Sequence, residues 1–468
     1  MRVRTDFIRN QRRHRASCGA SSMIVTLLLC SAAAAAEDET EAAPDSQAKL
    51  PIKGEEGAID QETYQVTTGD IKPTENKVPL WKRMLAPKEY NFYWDQGVRF
   101  ERNDGYFRFK GGFRVEFDVA SIHGDPAIAE TIGGLGAYWE FRRAWLTASG
   151  TLGKRFIYAA QVDVTGNSSG DDDRNPFVRE FFVGAVDLGP LGTVRAGIHK
   201  ETFSFAELNS SKNLTFMERS LAATFAPGYD PGISSQLLLF DRRATLTYGA
   251  FYYTGAEGKA KSRLDLTARV TGLPIAANND RHLLHLGASY SHQFREDFKL
   301  RYRRRPESHL AERFVDTGDF ASDDIDLFSA ETLVLRGPLS VLAEWVMSRA
   351  RRDNASTATF WGTYAEVAYF LTGEQRPYRR SRGTLGYVIP TNSFDWKKRH
   401  WGALQVGARY SYVDLNSDDI RGGIMSDLTL GLTWFVRPHL RFMTNYIHAH
   451  VNGVGNANII QFRVGIEY

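Results

Sequence analysis

Strict alternation of apolar and charged side chains in one short segment most constrains the fold of this chain. In YFRFKGGFRVEF, residues 106–117, the odd positions from Phe107 carry Phe, Gly or Val, whereas the even positions carry Arg, Lys, Gly or Glu. Successive side chains of a β-strand point to opposite faces, so the segment predicts a strand with an apolar and a mostly cationic face. Such a strand fits a soluble sheet with its apolar face inward, or a membrane barrel with that face in lipid.

The same period of two recurs from about residue 92 to the end of the chain. Sixteen segments have this pattern, and clusters of Gly, Asp, Asn and Pro separate them. They lie at residues 105–119, 138–150, 156–165, 177–187, 191–200, 232–240, 243–254, 262–271, 283–294, 323–336, 339–351, 357–371, 401–415, 425–436, 439–451 and 458–468. Short and long links mostly alternate, although the link 372–400 is long where a short turn is expected. The pattern predicts an all-β fold, a 16-stranded antiparallel transmembrane β-barrel with both termini in the periplasm.

The first 36 residues predict a cleaved signal peptide, residues 1–36. Six arginines precede a short apolar core, Met23–Cys30, and a run of alanines follows it. The apolar stretch that begins at Met23 spans 14 residues, fewer than the roughly 20 that a membrane-spanning helix needs. Both cysteines, Cys18 and Cys30, lie in this leader, so the exported chain is expected to contain neither a disulfide nor a thiol site.

The remainder of the chain divides into two predicted parts. Residues 37–89 are polar and acidic without sustained periodicity, which predicts a disordered periplasmic segment, and residues 90–468 predict the barrel domain. The arginines of the leader account for more than the whole net charge of +3, so the mature chain has no basic excess that would indicate nucleic acid. No zinc-protease motif, nucleophile elbow, P-loop or cysteine metal site occurs, and we therefore expect neither an enzyme nor a cofactor.

The last segment carries a second indication of a membrane barrel. IIQFRVGIEY, residues 459–468, alternates again and ends in the aromatic residue Tyr468. A final strand that ends in an aromatic residue resembles the C-terminal signal that outer-membrane barrels present to the barrel-assembly machinery. Together with the signal peptide, it predicts a barrel in the outer-membrane lipid of a Gram-negative bacterium.

Several longer segments resemble the phosphate-selective porins of the O and P type. They are FRRAWL (141–146), LTFMERSLAATFAPG (214–228), YRRRPESHLAERFVDTGDF (302–320), YFLTGEQRPY (369–378), ARYSYVDLNSDDIRGG (408–423) and LTLGLTWFVRPHLRFMTNYIHA (428–449). The resemblance implies a homotrimeric porin with an inward-folded third loop and a path lined by arginines and lysines. Passive diffusion of small anions is then expected, with phosphate as the leading candidate. The alternative is a general, weakly selective porin for small hydrophilic solutes.

Cations that face a narrow, water-filled lumen favour the passage of anions, and arginine suits phosphate because its fork of donors matches the oxygens. Alternation places Arg108, Lys110 and Arg114 on the lumen face of the first strand. The resemblance implies further path residues, namely Arg142 and Arg143 on the second strand, the external group Arg301, Arg303 and Arg305, and Arg379 in the long turn. Each of these cations is alternatively a solvated charge or the partner of a neighbouring carboxylate.

The third loop, about residues 200–232, is long and rich in apolar residues, which predicts that it packs inside the barrel. Lys200, Lys212 and Arg219 would then face the constriction. Phosphate-selective members of the family carry a lysine near the position that Glu207 occupies here. A carboxylate at the narrowest point would repel phosphate, so Glu207 predicts weaker phosphate selectivity.

Overall fold

A computed structural model describes residues 89–95, 97–165, 178–253, 263–295, 298–353 and 355–468. The predicted signal peptide and all but the last residue of the predicted acidic segment lie outside the described residues. Both therefore stay predictions.

Sixteen antiparallel strands form one closed sheet. They are β1 Phe107–Gly124, β2 Gly136–Leu152, β3 Phe156–Asp163, β4 Val178–Ala185, β5 Thr193–Lys200, β6 Tyr229–Leu239, β7 Ala244–Tyr252, β8 Leu264–Ala277, β9 His282–Gln293, β10 Ile325–Arg336, β11 Leu339–Ala350, β12 Ala358–Phe370, β13 Ala403–Ser417, β14 Ile420–Arg437, β15 Leu440–Val451 and β16 Gly455–Glu467. Each strand pairs with the next, and β16 closes the barrel on β1. The predicted 16-stranded antiparallel barrel is confirmed, and each predicted segment overlaps one strand.

The closure joins the two ends of the barrel sequence. Backbone bonds of 2.9 Å run in both directions between Phe113 and Tyr468, the last residue. An additional hairpin, Tyr90–Trp94 and Val98–Arg102, pairs with the start of β1, where β16 has already ended. The alternation did not indicate this hairpin.

The remaining elements are short. They are the helices Pro126–Thr131 and Phe205–Leu208, the 3₁₀ turns Gly189–Leu191, Ser211–Asn213 and Leu221–Phe225, and the strand pairs Phe298–Leu300 with Phe320–Ser322, Arg303–Arg304 with Val315–Asp316, and Tyr378–Arg379 with Thr384–Leu385. Within the described part of the chain, none of the helices has the length and apolar character needed to cross a membrane.

The wall of the barrel has an apolar outside and a charged inside. Phe141 and Leu146 on β2 are 52% and 56% exposed, whereas Glu116 on β1 is 1% exposed. A soluble sheet would bury its phenylalanines and leave its charges in water, and here the order is reversed. The apolar face of the first strand therefore suits lipid, which decides between the two folds that its alternation allowed.

Three connecting segments contact the inward-facing side chains of the wall. They are loop 3 (residues 201–228), loop 5 (residues 298–324) and the long turn (residues 371–402). In loop 3, the Phe205 amide donates to Glu344 on β11 at 2.8 Å and the Met217 amide to Asn445 on β15 at 3.2 Å. Asn213 of loop 3 also donates to the carbonyl of Leu385 in the long turn at 2.9 Å. Loop 3 thus lies against strands far from β5 and β6, which it connects.

Candidate functional site

A β-bulge on β2 turns two adjacent arginines to the same side of the wall. Glu116 on β1 pairs with Arg143 and Phe117 pairs with Phe141, so Arg142 is an extra residue in the ladder. Arg142 and Arg143 are 3% and 1% exposed, and Phe141 points outward. A regular strand would have placed one of the two arginines in lipid, and the bulge removes that conflict.

A second bulge, on β4, brings in an arginine that alternation does not indicate. Gln161 on β3 pairs with Glu180 and Val162 pairs with Val178, which leaves Arg179 as the extra residue. Glu180 is buried and Arg179 is half-buried beside it. The sequence does contain a sign of this bulge. Arg179 and Glu180 are adjacent charged residues between apolar ones, as Arg142 and Arg143 are on β2.

These two bulges border an open cavity between loop 3 and strands β1 to β6. Six cationic but only two anionic side chains line its empty space of about 670 Å³, which is continuous with solvent. We call it the cationic cavity. Its lining residues are Phe113, Arg114, Arg143, Trp145, Thr147, Gln161, Arg179, Glu180, Lys200, Ser210, Ser211, Arg219, Tyr229, Arg382, Glu467 and Tyr468. The cavity therefore carries an excess of positive charge.

Arg114 and Arg143, the two arginines predicted on the first two strands that line this cavity, are both bonded to carboxylates. Arg114 contacts Glu467 at 3.1 Å and Ser211 of loop 3 at 2.8 Å. Arg143 contacts Glu116 at 2.5 Å, while its buried Nε has no acceptor among the described residues. The buried side-chain nitrogen of Gln161 is likewise without an acceptor in the described part of the chain. Buried donors are rarely left unsatisfied, so these N–H groups suit the oxygen atoms of water or of an oxyanion.

Glu207 lies between two cations rather than alone in the path. Its carboxylate oxygens contact Lys200 Nζ at 3.0 Å and Arg219 Nε at 3.1 Å. Burial alone would raise the pKa of Glu207, but Arg219 and Lys200 hold that pKa below its ordinary value. Both cations line the cationic cavity and Glu207 does not. The expected repulsion is therefore reduced by two bound cations.

Other predicted cations are paired with carboxylates or lie near the turn end of the barrel. Arg142 binds Glu218 through two bonds of 2.8 and 2.9 Å, and Lys212 contacts Glu467 at 3.1 Å. Arg108 is exposed, whereas Lys110 is buried. These four residues do not line the cationic cavity.

The arginines predicted from loop 5 and the long turn also lie outside the lining. Arg301 binds Asp316 at 2.8 Å, and Arg303 lies opposite the same aspartate in a short ladder. Arg305 donates to the carbonyl of Ala311 at 2.7 Å. Arg379 lies in the short strand Tyr378–Arg379 of the long turn, and it is its neighbour Arg382 that lines the cavity.

Loop 3 is anchored to the wall by Glu344, which is 2% exposed. Its carboxylate accepts bonds from the amides of Phe205 and Ala206 at 2.8 and 3.0 Å, from Ser329 at 3.0 Å and from the Tyr364 hydroxyl at 3.2 Å. One carboxylate thus satisfies four donors and fixes the start of the loop.

We expect Glu344→Ala to loosen loop 3, because each of its buried donors left without an acceptor costs about 1–3 kcal/mol. Single-channel recordings should show larger and noisier current steps than the wild type. Glu130→Ala, in the exposed helix Pro126–Thr131, is the matched control and should leave the current unchanged. Currents of wild-type size and noise for Glu344→Ala would show that the carboxylate does not hold the loop.

No group of three or more His, Cys, Asp or Glu side chains in the described residues is arranged so that it could hold a metal ion. The cationic side chains that line the cationic cavity can attract an anion and donate hydrogen bonds to it.

Known proteins with similar sequences are porins or uncharacterised. Porin O of Pseudomonas aeruginosa is 23% identical over 399 residues, which is 77% of this chain and 87% of that protein. An uncharacterised protein of Caulobacter vibrioides is 28% identical over 385 residues, which is 79% of this chain and 73% of that protein.

Two solved structures are also similar to this chain, with TM-scores below 0.5. An anion-selective porin from Comamonas acidovorans has a TM-score of 0.47 and 12% identity, covering 77% of this chain and 100% of that chain. A loop-deletion mutant of OmpT from Vibrio cholerae has a TM-score of 0.48 and 10% identity, with coverage of 78% and 100%.

The family comparison covers most of the barrel. Phosphate-selective porin O and P matches residues 109–462, from the first strand to the last. Since this match spans well over half of the chain, and the closed barrel has the apolar exterior that lipid requires, the chain belongs to the phosphate-selective porin O and P family of bacterial outer-membrane porins.

Proposed function

We propose that the barrel is a passive, non-enzymatic channel for small anions, with phosphate as the leading candidate. The observation that carries this proposal is the charge of the cationic cavity, which six cationic but only two anionic side chains line. A low-dielectric wall focuses such a field on the ion that passes. The path residues we assign are Arg114, Arg143, Arg179, Lys200, Arg219 and Arg382.

Phosphate suits the cavity better than chloride because the donors there are directional. Arg143 Nε and the Gln161 amide nitrogen are buried donors with no acceptor in the described residues. An oxyanion offers several acceptor oxygens to such groups, and charge-assisted bonds are about twice as strong as neutral ones. Conduction also requires that the ion leave again, and several weak binding positions along the path meet that requirement better than one tight site.

The second candidate function is a general, weakly selective porin. Many lumen arginines are neutralised by carboxylates, for example Arg463 by Asp118 and Arg409 by Glu307. At these two places outside the cationic cavity, a neighbouring carboxylate balances the charge of the arginine. This alternative predicts little preference for phosphate over other small solutes.

The reversal potential of single channels in a KCl gradient tests the proposal, followed by titration of phosphate into the chloride solution. An anion-selective potential and a block of the chloride current by phosphate are expected. A cation-selective potential would refute the anion channel. Anion selectivity without phosphate block would favour the general porin.

Neutralising Glu207 is expected to strengthen phosphate binding. Glu207→Gln removes the carboxylate between Lys200 and Arg219, and Arg219 keeps its bonds to the carbonyls of Ala206 and Asn209 at 2.7 and 3.1 Å. One added unit charge near the ion contributes about 1 kcal/mol, so phosphate should block at an about fivefold lower concentration. Glu130→Gln, on the exposed first helix, serves as the control. Weaker block by Glu207→Gln would contradict this assignment.

We further propose that the chain is a homotrimer, delivered by its signal peptide and inserted by the barrel-assembly machinery through the strand that ends at Tyr468. OmpT of Vibrio cholerae has been solved in a trimer form, and the apolar exterior leaves room for lipid and for neighbouring subunits. The periplasmic segment, residues 37–89, would precede the barrel. Cross-linking in native membranes tests the trimer, and the N-terminal sequence of the purified protein tests the cleavage.

A further inference from the structure

Cations and aromatic rings alternate along one side of the cationic cavity. The guanidinium of Arg114 lies 4.8 Å from the centre of the Trp145 ring, and that of Arg179 lies 4.8 Å from the same ring. Arg179 is also 5.1 Å from the ring of Tyr229, which has Lys200 Nζ at 5.3 Å. All five residues line the cavity, so the order cation, ring, cation, ring, cation follows the proposed path.

Trp145 is held firmly enough to support its neighbours. It is 7% exposed, and its Nε1 donates to Asp163 at 2.9 Å. Asp163 in turn accepts bonds from the hydroxyl and the amide of Thr165, at 2.6 and 3.0 Å. Arg143 lies 5.6 Å from the same indole ring, so three arginines of the cavity share one fixed aromatic residue.

A ring and a carboxylate hold a cation with different consequences for a passing ion. A carboxylate such as Glu218 beside Arg142 cancels the charge of the guanidinium at a distance. A ring attracts the cation through its quadrupole, which carries no net charge and therefore adds no negative charge to the cavity. Rings therefore strengthen the hold on cations that are also paired, such as Arg114 and Lys200, without weakening further the field that selects anions.

We propose that Trp145 and Tyr229 are positioning residues for anion selectivity, an inference that rests on the proposed function. Their ring faces keep Arg114, Arg179 and Lys200 directed at the ion path. Arg114 and Lys200 also contact Glu467 and Glu207. Without the rings, these carboxylates alone would set the positions of the two cations, which would then be drawn away from the ion path.

Two substitutions of Trp145 test the proposal, with reversal potential and phosphate block as readouts. Trp145→Leu should weaken the phosphate block about fivefold, the factor that corresponds to about 1 kcal/mol for a buried cation–ring contact. Trp145→Phe keeps a ring and should stay close to wild type. Trp139→Leu on the same strand is the matched control, because Trp139 is 63% exposed and points outward.

The outcomes separate this inference from the proposed function. An anion-selective wild type whose selectivity and block are unchanged by Trp145→Leu overturns the inference alone. Equal losses for Trp145→Phe and Trp145→Leu also overturn it, since the ring face would then be irrelevant. A cation-selective wild type overturns the proposed function, and the inference with it.

Tyr229 provides an independent pair of variants in case Trp145→Leu does not fold. Tyr229→Leu should reduce anion selectivity and phosphate block, whereas Tyr229→Phe, which retains the ring, should not. Equal behaviour of the two variants would overturn the role of the ring. Resistance of the barrel to detergent unfolding verifies that each variant is folded before its currents are compared.

Discussion

Arg463→Met is expected to destabilise the barrel by about 3–5 kcal/mol, because it leaves buried carboxylates without their cation. Arg463 is 0% exposed and binds Asp118 through two bonds of 2.7 Å. The same guanidinium contacts Glu218 of loop 3 at 2.7 Å and Glu116 at 3.4 Å. It also donates to the carbonyl of Met217 at 2.6 Å, so loop 3 should loosen together with the wall.

Urea unfolding of the barrel in lipid vesicles measures this effect. Arg437→Met is the matched control, since Arg437 is exposed at the end of β14 and should cost little. Adding Asp118→Asn to Arg463→Met should recover part of the lost unfolding free energy, because the double variant no longer buries the Asp118 carboxylate without its cation. A loss below about 1 kcal/mol, which is the range of a surface ion pair, would contradict the buried network.

Arg179→Glu is expected to abolish the preference of the channel for anions. A unit charge about 4 Å from an ion contributes about 1 kcal/mol even in bulk water, with opposite signs for anions and cations. The ratio of anion to cation permeability therefore depends on about 2 kcal/mol, so Arg179→Gln should lower it about thirtyfold, and the reversed charge should lower it further. Glu180 beside it adds to the effect, since the substitution would raise the carboxylate side chains that line the cavity from two, Glu180 and Glu467, to three.

The permeability ratio should be measured at both low and high salt. At about 1 M KCl the screening length is only about 3 Å, so the effect of Arg179→Glu should shrink there. Arg243→Glu places the same change in the exposed turn between β6 and β7 and should leave the ratio unaltered. If Arg179→Glu had the wild-type permeability ratio at about 0.1 M KCl, Arg179 would not face the ion path.

The strands of the barrel could be predicted because lipid on one side and water or polar groups on the other leave a period of two in every strand. Alternation could not predict the hairpin Tyr90–Trp94 and Val98–Arg102. All five residues of its first strand are exposed, so its two faces do not differ in burial. The helix Pro126–Thr131 could not be predicted from a hydrophobic period either, because it is short and buries only Ile128. Contrast between two environments, rather than strand propensity, made the fold predictable.

The site was only partly predictable, because its geometry depends on contacts between distant segments. Arg114 followed from alternation and Arg143 from the resemblance, and both line the cavity. Arg179 was missed since a bulge shifts the phase of β4. The partners of Glu207 could not be predicted, because Lys200 and Arg219 approach it only after loop 3 has folded.

The two bulges also change how densely a barrel wall can carry charge. Along a regular strand, residues of one face recur only every ~6.6 Å, which limits the number of ionic groups per length of wall. At a bulge, two consecutive residues about 3.8 Å apart share a face, a spacing closer to the size of a single oxyanion. Deleting one residue there would restore the regular ladder and remove one charge. Channels of this kind can thus change their electrostatic strength one residue at a time, without lengthening the barrel or adding a strand.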